Sequence, residues 1–349
     1  MRPKSKECLK KSLFLVFLAA GLSAAGCHRA EQKTELSKTE FVIGTVCNIT
    51  LYNQAEADGV YRDIFSRLRE IENRMSVNIP DSDVSRINDA AGKEPVQVHE
   101  DVFEVIERAV YFAGISGGAF DPTVGPLVSL WGIGGNNPRL PSQAEIDAVL
   151  PLIDWRDIEL NREQHSVLLK RQGMALDLGA IAKGYAADEA AKIIRKAGLK
   201  RAIVDLGGNI MLYGQKPDKS LWRVGIQNPL QSRGDFIGVV QAREQTVVTS
   251  GVYERFFEAD GVRYHHLFDP HNGYPARTGL LSASIITGVS MDADGLSTVI
   301  FVLGYEKGRA LVETLDGVEA IFVFDDMTVR KTQGVDFVLT DEGYRLLPD

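Results

Sequence analysis

The sequence predicts an α+β protein with largely antiparallel sheets, and three observations predict it. From Trp155 to residue 268, short alternating segments follow one another as neighbours. Segments with helical spacing are inserted into that run or flank it. No repeat, low-complexity stretch or obvious linker appears after residue 40, so residues 40–349 read as one domain. Strands in neighbouring runs with helices inserted are the pattern of that class.

The elements follow in order. Glu40 to Tyr52 alternates, with Phe41, Ile43, Cys47, Ile49 and Leu51 on one face, as a strand does. Val60, Ile64, Leu68, Ile71 and Met75 recur at helical spacing and predict a helix over 56–75. A polar loop at 76–82 leads to a short helix ending near Asn88, and Val102, Ile106, Ala109 and Ala113 mark another, stopped at Gly117-Gly118. Residues 119–126, rich in Gly and Pro, read as loop. Ser142 and Glu145 form a capping box opening a helix to Leu150. Strands are expected near 156–160, 165–171, 201–206, 209–213, 222–226, 236–242, 246–250, 253–258 and 262–268, with a helix at 179–197 among them. A strand at 282–287, helices at 292–303 and 306–315, and strands near 318–324 and 336–339 complete the chain.

The N-terminus stands apart from this fold. Arg2, Lys4, Lys6, Lys10 and Lys11 form a basic region before a short apolar run, Leu13 to Ala20, too short to span a membrane permanently. Leu22-Ser-Ala-Ala-Gly-Cys27 is similar to a lipoprotein cleavage site, with Cys27 receiving lipid, although Ala24 replaces the usual leucine. The alternative is an ordinary signal peptide with an incidental cysteine. Residues 1–26 then read as a lipoprotein signal peptide and 27–39 as a polar tether. Cleavage leaves 323 residues and removes five basic residues and one acid, taking the net charge from −8 to near −12. Such a chain is a poor candidate for nucleic acid or an anionic bilayer. Cys47 would be left without a disulfide partner, so the fold must stand on its core.

Five stretches carry candidate chemistry. In 176–188, an extended segment passes through Gly179 into a helix with small residues and Lys183 in its first turns. That suits a diphosphate, through backbone N–H groups and one mobile charge, or tight packing of a helix on a sheet. Asp294 and Thr298, four apart on one helix face, suit a hard cation such as Mg²⁺; by themselves they read first as dipole stabilisation of the first turn and a hydroxyl bonded to its own helix. His265 and His266 point to opposite faces of a strand, so they cannot chelate one metal together. One of them could serve as a general base, or His266 could cap a strand end. Arg255, on a strand with Phe257 on its face, could grip a phosphate or pair with a carboxylate, and Asp205-Leu-Gly-Gly-Asn209 suits close approach of a ligand or a tight turn.

Together these motifs resemble those of the bacterial FAD:protein FMN transferases, the ApbE-type flavin-trafficking lipoproteins. The matching stretches are Ile43-Gly-Thr45, Met75-Ser76 with Asp81-Ser82 and Asn88, Gly117 to Trp131, Asp177 to Asp188, Gly207-Gly208, Ser250 to Phe256, His266 to Pro270 and Asp294 to Thr298. They keep a consistent order over residues 40–305. The resemblance implies a T-fold-like architecture and an exported enzyme, lipid-anchored on the periplasmic side of the inner membrane. With Mg²⁺ it would split the FAD pyrophosphate, pass FMN to a Ser/Thr hydroxyl of an exported acceptor protein, such as a subunit of a membrane redox complex, and release AMP. It implies Mg²⁺ ligation by Asp294, Thr298 and the Ala180 carbonyl, catalysis by Asp294 and by His266 as base, and FAD binding at Ile43, Asn78, Asp121, Lys183, Arg255 and the backbone near Leu267.

Two positions depart from the family pattern. Ile43 stands where methionine is common, and Asn78 where many members have a tyrosine able to stack on the ligand. Loss of one stacking contact forfeits about 1 kcal/mol, so water is expected to compete better and FAD hydrolysis to FMN and AMP is the alternative activity. The chain lacks an acceptor motif of its own and should act in trans. A non-catalytic FAD carrier is the other reading; the Asp294/Thr298 pair argues against it, because a carrier needs no cation.

Overall fold

A computed structural model describes residues 35–52, 57–216 and 218–348. The expected signal peptide, Cys27 and the start of the tether lie outside the described residues. The chain enters on a hairpin, β1 (Glu35–Val42) and β2 (Thr45–Tyr52), turning at Ile43-Gly44 with φ of 55° and 64°. This corrects the tether expected over 27–39, since Ser37 pairs with Thr50 and Thr39 with Asn48. It also splits the single strand expected at 40–52. A strand exposed along nearly all its length carries no apolar alternation, so its sequence looks like linker.

Helix α1 (Ala57–Met75) follows, then α2 (Asp83–Asp89), whose N-cap Ser82 accepts the Ser85 N–H at 2.9 Å. Next come β3 (Val96–Gln97), α3 (Glu100–Ile115), α4 (Gly125–Trp131) and α5 (Gln143–Val149). The capping box at Ser142 and Glu145 is present as expected. Helix α4 begins inside the stretch read as loop, with Pro126 in its first turn, where a missing N–H costs nothing.

The remaining elements are β4 (Ile158–Asn161), β5 (Ser166–Leu169), α6 (Ala182–Lys196), β6 (Arg201–Leu206), β7 (Asn209–Gly214), β8 (Trp222–Gln227), β9 (Phe236–Ala242), β10 (Thr246–Gly251), β11 (Phe256–Ala259), β12 (Val262–His265), β13 (Leu280–Thr287), α7 (Ser290–Val312), β14 (Glu319–Phe324), β15 (Thr328–Lys331), β16 (Phe337–Leu339) and β17 (Arg345–Leu346). The two helices expected at 292–303 and 306–315 are one element broken at Gly304, whose φ of 75° and ψ of 178° no helix contains. The strand expected at 253–258 begins only at Phe256, so Arg255 sits in the preceding turn and shares no strand face with Phe257.

Among the described residues nine strands form one sheet in the order β1-β2-β6-β7-β10-β13-β14-β15-β17, antiparallel throughout except for β15 with β17. One face packs against α1, α6 and α7 through residues such as Ile49, Val204, Val248 and Ile285. The other face holds Leu212, Val247, Ile286 and Ile321 against a three-stranded sheet, β16-β9-β8, which supplies Trp222, Val240 and Phe337. Val247 and Val248 thus enter opposite cores, the period of two that the pleat imposes. A third cluster around Trp131 joins α4 and α5 to the hairpin β11-β12 and to Phe268. The antiparallel α+β class expected from the sequence is the class found. Among the described residues no helix is long and apolar enough to cross a membrane.

Candidate functional site

The stretch 176–188 is not a regular strand running into a helix. Leu176 is held in extended form by Asn88, which accepts its N–H at 2.7 Å and donates to its carbonyl at 3.1 Å. Asp177 N–H donates to Pro122 O, tying the segment to the 121–124 loop. Helix α6 then starts with no side-chain cap. The N–H groups of Gly179, Ile181, Ala182 and Gly184 are all engaged within the protein, by Asp177, Leu178, Leu178 and Asp294 respectively. With these four donors engaged, Lys183 supplies the full positive charge at this end.

Lys183 faces a cleft of about 400 Å³, within the size range of small-molecule sites. Its Nζ donates to Gly179 O at 3.1 Å and lies 3.5 Å from Asp294 Oδ1. Asp294, on α7, is 4% exposed, and its Oδ2 accepts the Gly184 N–H at 2.9 Å. Thr298, one turn on, meets Ser250 Oγ at 3.3 Å, and Ser250 in turn meets Ser297 Oγ at 2.8 Å. Ala180, Lys183, Asp294 and Thr298 line the same cleft, so α6 with the turn before it, and α7, bring together residues more than a hundred positions apart.

These donors fit a hard divalent cation. The set is all oxygen, with one carboxylate, one hydroxyl and one carbonyl, and Asp294 Oδ1 faces the cleft side next to Lys183. Among the described residues no group of three His, Cys, Asp or Glu side chains gathers as a zinc site would require. Mg²⁺ keeps several waters and takes further oxygens from phosphates, so few protein ligands suffice.

Across the cleft stands His266, just after β12. Its Nδ1 hydrogen-bonds Arg255 O at 3.2 Å, which makes Nδ1 the protonated nitrogen and leaves Nε2 as the acceptor. Desolvation in the cleft, then the Arg255 charge, push its pKa down to about 3, so the ring is neutral at pH 7. His265 points the other way into the core, donating from Nε2 to Ala276 O at 3.1 Å. The opposed orientation expected for the pair is observed.

Other expected residues are placed less simply. Asp121 lines the cleft, but its Oδ1 accepts the N–H and hydroxyl of Thr123 and its Oδ2 the Trp155 N–H. Burial lifts its pKa above the ordinary carboxylate value against those bonds. Leu267 lines the cleft with both backbone groups spent, its N–H on His265 Nδ1 and its carbonyl on Ala276 N–H. Arg255 lies at the mouth, exposed, its guanidinium without a carboxylate partner among the described residues and running between Gly44 and Gly134.

Ile43 and Asn78 do not line the cleft. Ile43 is the first residue of the β1-β2 turn, a positive-φ position costly for a β-branched side chain. Asn78 is exposed on the loop after α1, where its N–H turns back to Ser76 Oγ.

Sequence reasoning passed over several residues. Asp188 binds the first turn of α7, and Asn209, next to Gly207-Gly208, is buried in the cleft wall. Gly207 makes the close approach that the double glycine suggested, but toward protein: a Cβ there would lie 2.0 Å from Thr45 Oγ1. A carboxylate at the seventh position of a small-residue helix was the available signal for Asp188; the helix it caps lies a hundred residues away.

A family model described as the ApbE family matches residues 43–322. The chain is 41% identical over 337 residues to the FAD:protein FMN transferase of Treponema pallidum, covering 92% of each. It is 37% identical over 313 residues to one from Klebsiella pneumoniae, covering 89% of this chain and 96% of that protein. Among solved structures, the ApbE protein of Thermotoga maritima is similar with a TM-score of 0.79 at 34% identity, over 86% of this chain and 97% of that one. The flavin transferase ApbE of Vibrio cholerae gives 0.76 at 28% identity, over 89% and 98%.

Proposed function

The chain belongs to the ApbE family, and on that premise we propose that it cleaves the FAD pyrophosphate with Mg²⁺, transfers FMN to a Ser/Thr hydroxyl of a partner protein and releases AMP. The observation that carries this is the convergence of Asp294, Thr298, Ala180, Lys183 and His266 on one cleft. Asp294, Thr298 and the Ala180 carbonyl would hold the cation, which when bound neutralises charge on the phosphoryl oxygens. Lys183 and Arg255 supply fixed positive charge for the diphosphate, inside the cleft and at its mouth. His266 takes the proton of the acceptor hydroxyl at Nε2 as the new O–P bond forms, the diphosphate P–O bond breaks and AMP leaves. Anionic phosphates beside the ring would favour its charged form and raise its pKa above the low value that the protein groups alone give it.

Water in place of the acceptor hydroxyl would give FMN and AMP by the same proton transfer, so hydrolysis is a parallel activity of one site. We place the reaction on the outer side of a bacterial cytoplasmic membrane, with the chain anchored through Cys27. Incubation with FAD, with and without Mg²⁺, followed by detection of AMP and FMN, tests the chemistry. FAD bound and returned intact would make the protein a carrier.

A further inference from the structure

The first turn of α7 is held from the neighbouring helix. Asp188 of α6 accepts the Ser290 N–H through Oδ1 at 2.9 Å and the Met291 N–H through Oδ2 at 2.8 Å. Helix α7 has no capping side chain of its own, since its N-cap is Val289. The orphan donors that a local Ser, Thr or Asp satisfies elsewhere are here satisfied by a residue of α6. One turn further, Gly184 N–H of the same α6 donates to Asp294 Oδ2 at 2.9 Å. Between these two ties the helices meet backbone to backbone: a Cβ on Gly184 would lie 2.2 Å from Ser290 O. The Ser290 hydroxyl extends the junction to the sheet, donating to Asn209 Oδ1 at 2.7 Å and meeting Thr246 Oγ1 at 3.0 Å.

We infer that Asp188 is a positioning residue for the cation site: its two bonds fix α7 along α6 and so set Asp294 and Thr298 against Ala180 and Lys183. A cap supplied by α7 itself would stabilise that helix wherever it lay. A cap supplied by α6 is satisfied at one relative placement only, and α6, with the Gly179-Ala180 turn that leads into it, carries Lys183 and Ala180 of the site. Asp294 follows Ser290 by four residues, one helical turn, so fraying of the first turn reaches its carboxylate directly. Residues that orient metal ligands from behind typically contribute about 10- to 100-fold in metal affinity.

This inference rests on the reading that Asp294 and Thr298 hold a divalent ion, and its test does not depend on turnover. Mn²⁺ is titrated into the full chain and followed by loss of the free-ion paramagnetic resonance signal, with Mg²⁺ measured by competition. Asp188→Asn keeps size and one acceptor but turns an NH2 toward the second N–H. It is expected to weaken Mn²⁺ and Mg²⁺ binding by about tenfold or more, while FAD affinity measured without metal stays within about twofold. Asp188→Glu, which keeps the charge but displaces it by one methylene, is expected to weaken the metal as well and serves if the asparagine variant does not fold. Unchanged metal affinity in a folded variant overturns the inference, as does a parallel loss of metal-free FAD binding, which would mean general loosening. Wild-type protein that binds the ion yet releases no AMP from FAD would count against the proposed reaction alone.

Discussion

His265 and His266 are chain neighbours with opposite environments. His265 is 6% exposed, and its Nδ1 accepts the Leu267 N–H at 3.3 Å while Nε2 donates to Ala276 O. A second proton would set two N–H groups face to face. Burial is the main cause that pushes the pKa down to about 4, with the Arg277 and Arg263 charges adding to it. His266 opens to the cleft and keeps one nitrogen free. Its replacement by Ala is expected to slow FMN transfer by about 10²- to 10⁴-fold, the usual contribution of a general base, with FAD affinity little changed. Separate measurement of transfer rate and FAD dissociation constant decides it: a loss confined to affinity would make His266 a binding residue. Asp294→Ala removes the one carboxylate among the proposed ion ligands. We expect Mg²⁺-dependent AMP release to fall to background even at raised Mg²⁺; unchanged turnover at limiting Mg²⁺ would remove Asp294 from the site.

At the scale of elements, the site depends on the α6–α7 contact. Gly184 is required there for approach rather than for backbone freedom, because its missing Cβ is what lets Ser290 O come close. Arg108 of α3 fastens the outer side of the same turn through two bonds of 2.7 Å to Asp292. Gly184→Ala must part the helices, since backbone cannot rotate away as a side chain can. The cost expected is about 2 kcal/mol or more, read as a lower midpoint in chemical denaturation. Mg²⁺-dependent AMP release should fall as well. A variant as stable and as active as the wild type would show that the two helices have slack.

For the whole molecule, acid should destabilise the fold before carboxylates with ordinary values titrate. His265 has a folded pKa of about 4 against an ordinary 6.5. Between those values the unfolded chain binds a proton that the folded chain does not. Stability from this group is therefore complete above about pH 6.5 and drains as pH falls toward 4, by at most about 3 kcal/mol. Asp188 opposes this in part, since burial raises its pKa to about 6 and the folded chain takes up its proton first as pH falls. Denaturation midpoints at pH 7 and pH 5 should differ in the wild type and differ less in His265→Gln; an equal difference would clear His265. Cys47, buried, donating to Val42 O and pushed up to about 12, is shielded from thiol chemistry. Cys27 is then the cysteine expected to carry a modification, and mass spectrometry should find lipid on it at the mature N-terminus. An unmodified N-terminus elsewhere would contradict the lipoprotein reading.

Periodicity in the sequence was enough to determine the antiparallel α+β class, the capping box at Ser142, the helix face carrying Asp294 and Thr298, and the opposed directions of the two histidines. These are local properties, set by the 3.6-residue and two-residue repeats and by caps within a few positions. The ordered motifs were enough to suggest the family. Only the tertiary structure decided that residues 35–39 are an edge strand, because pairing rather than apolar content makes them one. It alone decided that the N–H groups of Gly179, Ile181, Ala182 and Gly184 are spent on Asp177, Leu178 and Asp294, and that Ile43 and Asn78 stand off the cleft wall. It alone joined Asp188 to the first turn of α7. Each of these depends on a hydrogen-bond partner or a neighbour supplied by another part of the chain, in several cases a hundred residues away, and no local repeat encodes which distant group will arrive.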